Sequence, residues 1–78
     1  MKLMSLADAE RSSDIDIKMV AVRASRYRVF GSSERIPDGE LAVFDLRDGA
    51  EPPDFAARYQ VLDRHPMSAI FLVRKTGS

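Results

Sequence analysis

The chain has 78 residues, with twelve Lys plus Arg against twelve Asp plus Glu, one His and no Cys. A chain of this length forms a single domain, residues 1–78, with a small core. The lack of Cys excludes a disulfide framework, a thiolate zinc site and a cysteine nucleophile. A formal net charge of zero argues against a protein that works by coating a polyanion. The longest uncharged apolar run, Met67–Val73, is too short to cross a bilayer. We therefore expect a cytoplasmic domain that does not enter a membrane.

The zero net charge is the sum of blocks of opposite sign. Residues 1–14 carry a net charge of −1 and residues 15–30 carry +3, whereas residues 31–54 carry −5 and residues 55–78 carry +3. These blocks either neutralise one another within the fold or form separate faces for separate partners.

The amino-terminal third contains one helix signal and one strand signal. Ser5 stands three positions before Asp8, which predicts a short helix within an amino-terminal segment, residues 1–14. From Ile15 to Arg23 apolar residues recur at every second position, which predicts a strand. This strand opens the expected core of sheet and helix, residues 15–75.

The middle of the chain has the pattern of a hairpin. Tyr27 and Val29 alternate with arginines, and Pro37–Gly39 is a turn signal. Leu41–Leu46 is apolar on both faces and predicts the returning strand.

The last third predicts a helix followed by a strand. Pro52–Asp54 is typical of a helix start, and the main helix is expected at about residues 53–65, because Pro66 disfavours helical geometry in the residue before it. Ala69–Val73 is fully apolar and predicts a central strand. The predicted fold is α+β, a small antiparallel or mixed sheet of three to four strands, with the main helix on one face and a short amino-terminal helix. The connection from Leu46 to Ala69 is long enough for these last two strands to run parallel.

The predicted hairpin resembles the sheet hairpin of small ribosome-dependent toxins. The residues that carry the resemblance are Arg26–Phe30, the turn Pro37–Gly39 and Glu40–Phe44. It covers only residues 26 to 44 and implies a hairpin. Those toxins are typically strongly basic and continue with further strand, whereas here an acidic segment and a predicted helix follow, so we do not extend their activity to this chain.

The predicted strands carry more apolar side chains than one helix can cover. With Phe44, Phe71 and Val73 against the main helix, six residues point away from it, and together they exceed the apolar patch that a monomer usually exposes. The amino-terminal segment, a second copy of the protein or a different protein could cover them. The candidate interface consists of Val20, Val22, Leu41, Val43, Ile70 and Leu72.

Basic residues form a second candidate surface. On a strand, Tyr27 points away from Arg26 and Arg28, which does not fit a platform that stacks bases between aromatic and cationic side chains. We expect Asp45 and Asp48 of the facing strand to pair with the arginines. The candidate basic patch consists of Arg23, Arg26, Arg28, Arg74 and Lys75.

No pattern of catalytic or ligating residues stands out. The acids at positions 45, 48, 51 and 54 do not match the spacing of a calcium loop. His65 is expected to cap the main helix through its dipole. The four glycines are too scattered to cradle a nucleotide. We predict no catalytic residue, no metal ion and no cofactor.

These observations favour a small, non-catalytic protein–protein interaction domain that acts as a subunit, an adaptor or a stoichiometric inhibitor. One form of that role is a phage or mobile-element protein that inhibits a host defence system. The expected partner is another protein or a second copy of the chain in a homodimer. The alternative is a nucleic-acid-binding regulator that uses the basic patch.

Overall fold

A four-stranded antiparallel sheet, packed against helices, forms the frame of the protein. The computed structural model describes residues 2–28, 36–49 and 54–76. The elements in chain order are β1 (Lys2–Ser5), α1 (Leu6–Glu10), α2 (Ile15–Val22), a 3-10 helix (Arg23–Arg26), a second 3-10 helix (Asp38–Glu40), β2 (Leu41–Asp45), α3 (Phe55–Arg58), β3 (Tyr59–Arg64) and β4 (Ile70–Lys75). The strands lie in the order β1-β2-β4-β3. The predicted α+β fold class is therefore confirmed, as is the short amino-terminal helix.

The two central strands are those that the longest apolar runs predict. β2 and β4 lie side by side in the middle of the sheet, with Val43 opposite Leu72. They run antiparallel, so a parallel crossover between them is excluded. The chain between them supplies the edge strand β3, which pairs with the other side of β4.

The predicted strand at Ile15–Arg23 is wrong, because this segment forms the main helix, α2. The Asp14 carboxylate accepts hydrogen bonds from the backbone N–H groups of Asp16, at 3.0 Å, and Ile17, at 3.4 Å. It thereby caps donors that have no partner inside the helix. The buried residues of this segment, at positions 17, 20 and 21, and Ala24 in the 3-10 helix that follows, have helical spacing.

The predicted main helix at about 53–65 is also wrong. Only Phe55–Arg58 are helical, and the chain then extends into β3. Val61 lies opposite Val73 across the β3–β4 pair. Aromatic and β-branched side chains suit such a pleated, half-buried surface, and the backbone groups of the β4 edge gain partners that a helix could not supply.

The described residues do not form the predicted hairpin, on which the resemblance to ribosome-dependent toxins depends. Arg26 ends a 3-10 helix, and Arg28 forms an isolated parallel bridge with Ile36. The turn residues at 38–39 belong to the second 3-10 helix, directly before β2. Val29 and Phe30 lie outside the described residues.

The sheet has a buried cluster on each face. On one side, α1 and α2 cover Leu41, Val43, Ile70 and Leu72. The opposite cluster is aromatic: the ring centroid of Phe44 lies 4.9 Å from that of Phe55 and 5.3 Å from that of Tyr59. For β2 and β4 the predicted division of side chains into two faces is thus confirmed. Phe55 and Tyr59, from the segment expected to form the main helix, pack on the predicted face, whereas α1 and α2 cover the other.

Within residues 2–28, 36–49 and 54–76, none of the helices has the length and apolar character that crossing a bilayer requires.

The helical assignment of α2 can be tested with two valines of the same segment. Val20 is fully buried, whereas the exposed fraction of Val22 is 66%. We expect Val20→Asp to lower the free energy of unfolding by more than about 3 kcal/mol, because it buries a charge. Val22→Asp should change it by no more than about 0.5 kcal/mol. Urea denaturation followed by circular dichroism measures both. On a strand the two residues would share a face, so an equal loss in both variants would contradict the helix.

Candidate protein-interaction surface

The structure places most of the predicted interface inside the protein. Five of its six residues are buried, with exposed fractions of 4% or less. These five are Val20, on the inner side of α2, and Leu41, Val43, Ile70 and Leu72, which α1 and α2 cover. The face that the sequence left without a cover is therefore buried within the fold, and only Val22 remains on the surface.

A different apolar surface takes its place, on the side of α2 that faces away from the sheet. Ile15, Met19 and Val22 have exposed fractions of 71%, 40% and 66%. We call these three residues the outer stripe. Their spacing of four and then three residues aligns them along one side of the helix. At 100° per residue, the outer stripe lies directly opposite the residues that pack on the sheet.

The start of α2 is fixed by a cluster of carboxylates around one arginine. Arg47 Nη2 donates to Asp14 Oδ2 at 2.7 Å and to Asp45 Oδ2 at 2.8 Å. Its guanidinium lowers the pKa of both carboxyl groups, through these hydrogen bonds first. Because Asp14 caps α2 and Asp45 ends β2, the cluster ties the helix to a central strand. This tie holds the outer stripe facing solvent.

Charged residues flank the outer stripe on both sides. Asp16 and Arg23 lie on one flank, seven residues apart, and Lys18 lies on the other. Asp16 Oδ1 is 3.2 Å from His65 Nε2, and Arg23 Nη1 donates to Asp63 Oδ1 at 3.1 Å. The side chains of Asp16 and Arg23 are 38% and 28% exposed, so both can still be reached from the surface.

A groove runs beside the outer stripe on the Lys18 flank. It has a volume of about 340 Å³ and is open to solvent. Its lining residues are Glu10, Lys18, Ala21, Val22, Ser25 and Arg28. The outer stripe therefore has a projecting end at Ile15 and a recessed end beside Val22.

The predicted basic patch is interleaved with acids. Arg23 and Arg26 approach Asp63 at 3.1 and 3.8 Å. Arg28 pairs with Glu10 and, at 3.3 Å, with Asp38. Arg74 lies 4.0 Å from Glu40. Among the described residues, Lys75 alone of the five has no ion pair.

The acids that pair with these arginines are not those expected across a hairpin. Asp45 bonds Arg47 instead. Exposed ion pairs contribute little to stability. They do, however, neutralise the local positive potential on which nucleic-acid binding depends.

His65 holds a loop rather than capping a helix. It follows the last residue of β3, is 7% exposed and accepts a hydrogen bond at Nδ1 from the Met67 backbone N–H, at 3.0 Å. That contact places the ring proton on Nε2, which faces Asp16. Nδ1 thus holds the β3–β4 connection together, and Nε2 joins that connection to Asp16 of α2. The expected capping role is wrong because the predicted helix is absent.

The acids at positions 45, 48, 51 and 54 are the residues of the sequence that invite comparison with a cation site. In the part of the chain that the structure describes, no group of three or more His, Cys, Asp or Glu side chains is placed to hold a metal ion.

No protein-family model, no curated protein and no solved structure matches the chain.

The carboxylate cluster around Arg47 predicts how the stability of the folded protein depends on pH. The pKa of Asp45 lies below 3.8, chiefly because Arg47 hydrogen-bonds its carboxylate. The contact with Arg47 therefore stabilises the folded protein at pH values above the ordinary pKa of an Asp. This stabilisation is lost as the pH falls through the lowered pKa of Asp45. We expect Asp45→Asn to lower the Tm by about 4 °C near neutral pH. The difference in Tm between the variant and the wild type should shrink as the pH falls through the lowered pKa of Asp45.

Asp54→Asn is the matched control, because Asp54 is 53% exposed and, among the residues that the structure describes, forms an ion pair only with Arg58 of the adjoining helix α3. It should leave the Tm unchanged near neutral pH. A difference between Asp45→Asn and wild type that persists undiminished in acid would contradict the ionic origin of the effect.

Proposed function

We propose that the protein is a non-catalytic protein–protein interaction domain that binds its partner through the outer stripe of α2. The observation that carries this proposal is the exposure of three large apolar side chains in helical register, on a helix whose opposite side already fills the core. A surface helix normally has one apolar side, which faces the core, so a second apolar side is typical of a contact with a partner.

Burial of the outer stripe supplies the free energy for binding. Removing a large apolar side chain from water is worth about 1.5–3 kcal/mol when burial is complete. Three such residues in line form the ridge that packs into the groove of another helix. The expected contact is therefore with a helical surface.

The edge of the sheet is a weaker candidate for the same role. β3 is an edge strand, but its pairing with β4 shifts register between Val61 and Asp63. Bulges and charged residues on an edge hinder the addition of a further strand. Val61 is 46% exposed and lies on the face opposite α2, which makes it a matched control for Val22.

The proposed role is that of a subunit, an adaptor or a stoichiometric inhibitor, in the cytoplasm. A Cys-free sequence is compatible with a reducing compartment. Inhibition of a host defence system by a phage or mobile-element protein remains one form of this role.

Site-specific photo-crosslinking tests the proposal. A benzophenone amino acid replaces Val22 in one variant and Val61 in another, and both are irradiated in the cells that produce the protein. We expect a covalent adduct with a protein, or with a second copy of the chain, from position 22, because the outer stripe is the buried contact. Position 61 should give at most a trace. Gel mobility and mass spectrometry identify the adducts.

Two outcomes would contradict the proposal. One is that position 22 gives no adduct under conditions in which the protein is folded. The other is that the protein binds an oligonucleotide tightly at low salt and loses that binding both at high salt and on Arg26→Glu with Lys75→Glu. The second outcome would favour a nucleic-acid-binding regulator.

A further inference from the structure

The outer stripe has the symmetry that pairing with itself requires. Met19 stands near its middle, four residues after Ile15 and three before Val22. If two α2 helices cross antiparallel with Met19 at a two-fold axis, Ile15 of each copy lies against Val22 of the other. A two-fold interface is built from such reciprocal contacts.

We propose that the occupant of the outer stripe is a second copy of this chain, bound with the two α2 helices antiparallel. This inference rests on the proposed function of the outer stripe as an interaction surface and names its partner.

Shape supports the second copy. Ile15 is the most exposed residue of the outer stripe, at 71%, and it projects from the start of the helix. The groove of about 340 Å³ lies beside Val22 at the other end. Antiparallel pairing brings the projecting Ile15 of one copy to the groove of the other, twice over. A projection and a recess on either side of one centre make a surface complementary to itself.

Charge supports the antiparallel direction. In coiled-coil terms Ile15, Met19 and Val22 form the apolar seam, and Asp16, Lys18 and Arg23 are the flanking positions. Antiparallel pairing sets Asp16 of each copy opposite Arg23 of the other, which gives two attractive contacts. Parallel pairing would set Lys18 beside Arg23, which gives two repulsive ones.

The remaining flank carries the one repulsive contact of the antiparallel arrangement. Antiparallel pairing brings the two Lys18 side chains toward each other at the rim of the grooves. Glu10, whose side chain is 41% exposed, lines the groove beside them. Because Glu10 already pairs with Arg28, the two ammonium groups repel one another, and this single repulsive contact is outweighed by the two attractive ones on the other flank.

The size of the surface sets the affinity. A seam of three apolar residues on each copy falls in the class of small interfaces, which form weak and reversible complexes. We therefore expect a monomer–dimer equilibrium with a Kd in the micromolar range rather than a permanent dimer.

Sedimentation equilibrium of the purified full chain, across a wide concentration range, tests the equilibrium. The apparent mass should rise with concentration from 8.7 kDa toward twice that value. Val22→Asp should raise the Kd at least about tenfold, because it places a charge in the seam. Val61→Asp should leave the Kd unchanged. Circular dichroism checks that both variants are folded.

Single-cysteine variants test the geometry, and the Cys-free sequence makes each of them clean. Under mild oxidation, Met19→Cys should form a disulfide-linked dimer, since the two thiols meet at the axis. Ile15→Cys should not link to itself but should link to Val22→Cys when the two variants are mixed. Linkage of Ile15→Cys to itself, without linkage to Val22→Cys, would overturn the antiparallel arrangement.

The failure of this inference can be told apart from failure of the proposed function. A monomer at every concentration, or a dimer that Val22→Asp does not weaken, overturns the second copy as the occupant. If position 22 then still crosslinks to a different protein in cells, the interaction domain stands and only its partner changes. If position 22 crosslinks to nothing, both proposals fall.

Discussion

The two central strands are apolar on both faces, and the rest of the structure follows from the need to cover both. Val43 and Leu72 face one way, whereas Phe44 and Val73 face the other, and all four are buried. In this chain of 78 residues, different elements cover the two faces. On one side lie α1 and α2, with mostly aliphatic contacts. On the other lie the single turn of α3 and the aromatic rings beside it.

Ion pairs between distant parts of the chain hold these covers in place, which explains the balance of charge. The basic second block of the sequence does not form a free surface. Arg23 reaches Asp63 in β3, and Arg28 reaches Asp38 before β2. Asp45 of the acidic middle pairs with Arg47 of the same block, in the carboxylate cluster at the start of α2. Where described residues of oppositely charged blocks do meet, as Arg28 with Asp38 and Arg74 with Glu40, they neutralise one another within the fold.

The sequence alone predicts those elements whose apolar residues fit only one type of secondary structure. β2 and β4 are uninterrupted apolar segments, and their division into two faces follows from the alternation of side chains. The short helix after Ser5 was equally predictable, because the Ser5 hydroxyl accepts a hydrogen bond from the backbone N–H of Asp8.

The remaining elements could not be read from local periodicity. In Ile15–Val22, apolar residues fit the strand period and the helix period at the same time, and the Asp14 cap was the overlooked signal. At Phe55–Leu62, helical spacing competed with pairing to β4, which is a contact between parts of the chain that local sequence does not reveal. The outer stripe was missed for the same reason as α2: its residues share a face only on a helix.

A helix with apolar residues on opposite sides also has a consequence for folding. Turning α2 by half a revolution about its axis would present Ile15, Met19 and Val22 to the sheet in place of the native residues, so hydrophobic burial alone distinguishes the two orientations poorly. The polar contacts at its ends distinguish them, because Arg47 can reach Asp14, and Asp63 can reach Arg23, in only one rotation. The outer stripe thus narrows the energy gap between the native state and a rotated competitor. These few hydrogen bonds determine which side of α2 faces the sheet, although each of them contributes little energy.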